Sequence, residues 1–205
     1  DVFALVEGLM GEIFDKIKGI KLPSFTRLPY VECMKRFGSD KPDMRFAMEL
    51  HCVNEAFAHT DFTIFQQVLA QGGEINAINV KNAADRFSRK QLDQLQEYVK
   101  IYGAKALAHL KYKDSTFTGS IAKVTSDAEQ ASLIKMLEVE ENDLLFFVAD
   151  QKRVSQTALG ALRLKLGKEL HLIDESKYQF LWVTDFPMFE YSEEEERYVA
   201  AHHPF

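Results

Sequence analysis

The chain has 205 residues, 46% hydrophobic and 27% charged, a composition that fits a folded protein with one large core or two small ones. Its 31 acidic and 25 basic side chains give a formal net charge of −6, which argues against a domain built to grip nucleic-acid phosphates, and so against DNA as a partner. Cys33 and Cys52 are too few for a disulfide framework or zinc cluster, and no apolar run approaches the ~20 residues that span a bilayer. The expectation is a cytoplasmic protein with reduced thiols and no membrane contact; its start, DVFAL, does not read as a signal peptide.

The first predicted element is a helix over 2–18. Phe3, Val6, Met10, Ile13, Ile17 and Ile20 recur in steps of three and four and are expected on one buried face. Pro23 cannot continue it. A short helix over 30–37 is closed by Gly38. The segment GSDKPDMR at 38–45 is polar apart from Pro42 and Met44, and a residue before proline is pushed out of the helical region, so this reads as an ordered, salt-bridged loop. An extended stretch over 46–50 and a helical turn near 53–58 follow. Strands are expected at 62–69 and 75–80, joined as a hairpin at Gly72-Gly73.

Ser88 is a good N-cap for a helix over 89–102, with Leu92, Leu95, Tyr98, Val99 and Tyr102 as its apolar stripe and Gly103 as its end. A strand over 106–112 comes next. A helix capped by Thr125 or Ser126 then runs to 137, with Leu133, Met136 and Leu137 inward. LLFFV at 144–148 lies in a buried strand over 143–149. The helix expected over 156–170 carries Arg163, Lys165 and Lys168 in its C-terminal half, as the helix dipole favours, and Gly160 inside it marks close packing. The end of the chain reads as strand, turn, strand, with a polar tip at 192–196. The order β-β-α-β-α-β in the middle predicts an α+β fold: a two-layer antiparallel sheet with its helices on one face.

Few residues advertise chemistry. The neighbouring His202 and His203 can carry charge near neutral pH and donate to an anion, although alternation along a strand would send the two to opposite faces. Asp40 and Lys41 lie in the polar loop. Asp185, in DFP, reads as a strand end. The six histidines are scattered apart from the final pair, so no metal site is expected, and there is no P-loop or dinucleotide fingerprint. No residue is assigned a catalytic role.

Four blocks, FLWVTDFPMFE at 180–190 running on to HHPF at 202–205, RFGSDKPDMRF at 36–46, VKIYGAK at 99–105 and GALRLKLGK at 160–168, stand in the order and nearly the form found in bacterial-type aspartyl-tRNA synthetases, a class II family that the chain closely resembles. The resemblance implies three parts: a piece of catalytic core at 1–45, a GAD-type insertion domain at 46–172, and core strands at 173–205 ending in HHPF. It implies ATP and Mg2+ for the parent enzyme, with L-aspartate and tRNA(Asp) as its substrates, and a homodimer. His202 inherits contact with the bound aspartate, His203 a supporting role, and Asp40 and Lys41 a place near the active site. The family's ATP-binding signatures are expected outside 1–205, so this stretch alone is expected to be inactive and to bind no cofactor. The alternative is a free-standing GAD-type module that binds tRNA or a partner, as in a tRNA-dependent amidotransferase subunit; the 2–18 helix and the HHPF block would have no purpose there.

Overall fold

The computed structural model describes residues 1–192 and 195–201. The first helix, α1 (Val2–Lys18), starts at Asp1, whose carboxylate accepts from the Phe3 amide, and ends at Gly19 with φ 66° rather than at the proline. Its covered face holds Phe3, Val6, Met10 and Phe14. Ile13 and Ile17, expected inward, are 39% and 76% exposed. A helix turns every 3.6 residues, so after Met10 the residue four on, not three on, falls over the sheet. Phe14 meets the rings of Tyr178 and Phe180, Phe3 meets Trp182, and the Trp182 indole donates to Glu7 at 2.8 Å. Beneath α1, β1 (Thr26–Pro29) pairs in parallel with β7 (Leu181–Thr184). The helix α2 (Tyr30–Phe37) closes at Gly38, as expected, and buries Cys33 and Phe37 against Leu28, Leu181 and Val183.

The middle of the chain is a five-stranded antiparallel sheet of β2 (Leu50–Cys52), β3 (Glu74–Val80), β4 (Ala108–Lys113), β5 (Thr116–Gly119) and β6 (Leu144–Asp150), in the order β2-β3-β6-β4-β5. The helices are α3 (Thr63–Ala70), α4 (Arg89–Lys100), α5 (Asp127–Met136) and α6 (Lys152–Glu169). They cover both faces. Ile78, Val80, Leu144, Phe146 and Val148 point into a core with Leu95 and Val99 of α4 and Leu159, Leu162 and Leu166 of α6. The alternate residues Ile75, Ala77, Leu145 and Phe147 point into a second core with Phe65 of α3 and Leu133 of α5. The expected two layers are therefore three. The unbroken apolar run of β6 follows from this, because a strand buried on both faces has no polar side to show.

The expected strand at 62–69 is the helix α3. Phe62, Phe65 and Leu69, three and four apart, face the second core, and Gly72 (φ 75°) and Gly73 turn a helix into β3 rather than closing a hairpin. The real hairpin, unforeseen, joins β4 to β5 through Asp114 and Ser115, whose φ values of 50° and 58° are those of a type I′ turn. The extended stretch expected at 46–50 is irregular up to Glu49, and β2 begins only at Leu50 and runs to Cys52, while α6 begins at Lys152, four residues early. Towards the C-terminus, β8 (Phe189–Ser192) and β9 (Arg197–Ala200) form a hairpin, tied to α6 by an Arg153–Glu190 ion pair. Residues 202–205 of the predicted last strand lie outside the described residues. Both cysteines are free, and among the described residues no helix is long and apolar enough to cross a membrane.

Candidate functional site

The loop 38–45 is polar, and its Ser39, Asp43 and Arg45 side chains are hydrogen-bonded. The Ser39 hydroxyl accepts from the Lys41 amide at 3.0 Å, fixing the turn ahead of the buried Pro42. Asp43 accepts from the Arg45 amide and from the Nε and Nη2 of its guanidinium, at 3.0 and 2.7 Å. Arg36 grips Glu49 with two hydrogen bonds of 2.7 and 2.5 Å. These bonds hold the Asp43 and Glu49 carboxyls below their usual range, with burial opposing. The salt-bridged loop read from the sequence is present.

Its anchor was not foreseen. Arg163 of α6, read from the sequence only as a cation in the dipole-favoured half of its helix, is 2% exposed. It donates to the carbonyls of Met48 at 2.7 Å, Asp43 at 2.9 Å and Phe46 at 3.0 Å. Its guanidinium lies 4.0 Å from the Phe46 ring centre and 5.0 Å from that of Phe37. Burial lowers it to about 10, against the pull of Asp43 and Glu49, so it stays charged at neutral pH. Small residues surround it: Gly160 touches the backbone of Gly38 so closely that a methyl would overlap it, and Phe46 covers Gly167. The signal lay in the spacing of GALRLKLG. Gly160, Arg163 and Gly167 share one helix face, and an arginine between two glycines there has room for another backbone and a donor fork to bond it.

Asp40 and Lys41 stand apart from this network. Asp40 is half-buried and Lys41 exposed, and among the described residues neither charged group has a hydrogen-bond partner. Lys41 edges a cleft of about 260 Å³ between the loop, α6 and the end of α4. Tyr98 and Tyr102 line its other side with hydroxyls 3.2 Å apart; burial and that contact push Tyr98 up to about 12. His202 and His203 lie outside the described residues. Asp185 ends β7 in a left-handed turn at φ 55° and accepts from the Thr184 hydroxyl, in keeping with a strand end. Among the described residues no three or more His, Cys, Asp and Glu side chains converge as a metal cluster.

An antiparallel sheet with helices on both faces is a mixed α+β fold, and residues 65–159 match the GAD domain family. Across 206 aligned positions covering the whole chain, the protein is 53% identical to an aspartate–tRNA ligase of Geobacillus kaustophilus. It is 51% identical to aspartate–tRNA(Asp/Asn) ligases of Anoxybacillus flavithermus and of a Geobacillus sp. strain. Residues 65–159 are thus similar to the GAD domain, and the whole chain is similar to a part of these aspartate–tRNA ligases. It spans 35% of the length of those relatives.

Proposed function

We propose that the chain is part of an aspartate–tRNA ligase of the class II type. One observation carries this: the similarity runs through residues 1–64 and 160–205 as well as the GAD match at 65–159. A free-standing GAD module has no use for those flanks. The parent would activate L-aspartate by in-line attack of its carboxylate oxygen on the α-phosphate of ATP, breaking the bond to pyrophosphate. A hydroxyl of the terminal ribose of tRNA(Asp) would then attack the carbonyl carbon of the aspartyl-adenylate, forming the ester and releasing AMP. Such chemistry rests on positioning and charge neutralisation more than on a general base. Magnesium, bound with ATP in the parent, would neutralise phosphate charge. The insertion is assigned to 46–172 and the core pieces to 1–45 and 173–205, within a cytoplasmic homodimer.

In this reading His202 donates to the bound aspartate, His203 supports it, and Asp40 and Lys41 sit near the reacting groups. In the full-length protein, His202→Ala should raise the KM for aspartate about ten- to a hundredfold, the cost of one charge-assisted hydrogen bond of roughly 1.5–3 kcal/mol. The KM for ATP should change far less, and His203→Ala should do less than His202→Ala. Aspartate kinetics unchanged in His202→Ala would remove histidine from the pocket.

A further inference from the structure

The loop 38–45 is positioned by a helix that belongs to the GAD sandwich. Ala158, Leu159, Leu162 and Leu166 of α6 are fully buried in the core it shares with β3, β6 and α4. The same helix meets the loop on its other face at three points. Gly160 abuts Gly38 at the loop's start, Arg163 holds the carbonyls of Asp43, Phe46 and Met48 at its end, and Gly167 lies under the Phe46 ring. Any shift of the sandwich thus moves the loop with it. Asp40 and Lys41 lie between the two clamped ends, and theirs are the loop's charges without a partner among the described residues.

We propose that Arg163 is a positioning residue for the ligase reaction, through which the GAD sandwich sets the place of Asp40 and Lys41. The inference rests on the reading of the chain as part of an aspartate–tRNA ligase. The arginine fork suits the role, because three carbonyls at and just beyond the end of the loop, those of Asp43, Phe46 and Met48, must be bonded at once. Lysine keeps the charge but has a single nitrogen and no planar fork, so it leaves at least part of this cluster loose.

The test is a double-mutant cycle in the full-length protein, read as kcat and KM for aspartate-dependent ATP–pyrophosphate exchange, well below each variant's melting temperature and per active site. Lys41→Ala and Arg163→Lys should each lower kcat/KM, the second by on the order of 10- to 100-fold, the range for a misplaced group. Together they should do little more than Lys41→Ala alone, because a displaced loop has nothing further to lose. If Arg163→Lys does not fold, Phe46→Leu, which removes the ring over the guanidinium, takes its place in the cycle. Additive effects, a Lys41→Ala protein with wild-type kinetics, or an Arg163→Lys protein that melts lower but turns over normally per site would each overturn the proposal. A wild-type full-length protein without aspartate-dependent exchange would instead overturn the ligase reading, and this inference with it.

Discussion

Gly160 sets two effects against each other. Alanine is the better helix former by about 1 kcal/mol, yet its methyl would meet the carbonyls of Gly38 and Phe37, which are backbone and cannot rotate away. Overpacking of this kind costs about 1–3 kcal/mol, so Gly160→Ala should lower the urea midpoint; a neutral or more stable variant would show that α2 and α6 are not in tight contact. Arg36 and Arg45 hold Glu49 and Asp43 below their ordinary values of 4.5 and 3.8. The unfolded chain therefore takes up these protons first on acidification. Their stabilisation is present above those values and is lost as the pH falls through the lower folded ones. Glu49→Gln should be less stable than wild type at neutral pH, and the gap should close below pH 4.5; a gap independent of pH would contradict the pairing. His109 is depressed from 6.5, first by burial and then by Lys111, so the fold favours its neutral form. Wild type should lose stability relative to His109→Gln as the pH drops below 6.5, measured by urea unfolding across that range. At this scale the sequence was a partial guide. The polarity and proline of 38–45 announced an ordered loop, whereas Arg163 read as one more cation on a helix end. The two glycines that flank it on one helix face hinted at close packing there, but which backbone it would bond depends on where α2 and the loop pack.

Helix starts were the most legible elements, because a cap is local chemistry. Ser88 and Gln91 form a reciprocal capping box at α4, and Ser126 and Glu129 form another at α5. Ser88→Ala should cost about 1 kcal/mol of unfolding free energy; no loss would mean that the Gln91 side chain alone satisfies the helix end. Where local signals conflict, packing decided. Phe62, Thr63, Ile64 and Phe65 favour a strand by type, yet the spacing of Phe62, Phe65 and Leu69 fits a helix laid on a sheet already paired through β3. The β4–β5 hairpin escaped notice because Asp114 and Ser115 adopt left-handed conformations without a glycine. Counting layers from sequence failed for a different reason. With α3 misread as a strand and the helix at 156–170 left out of the β-β-α-β-α-β order, only two helices were set against the sheet, and β6 carried the sign of a second covered face.

Across the whole molecule, stability is unevenly spread. The sandwich has two cores on one sheet, whereas α1 contains no buried residue and leaves Val2, Leu5 and Leu9 more than half exposed. In the 205-residue chain, hydrogen exchange should be slowest in β3, β4, β6 and α4 and fast in α1; slow amides confined to α1 and β7 would reverse the division into a self-sufficient middle and dependent flanks. The same division bears on activity. The chain spans 35% of its relatives, and the reaction proposed here belongs to the longer protein. The most direct test is ATP–pyrophosphate exchange measured side by side on the 205-residue chain and on the full-length protein. The account predicts background for the first and exchange that depends on aspartate for the second. Aspartate-dependent exchange by the 205-residue chain alone, or a full-length protein that responds to a different amino acid, would contradict it.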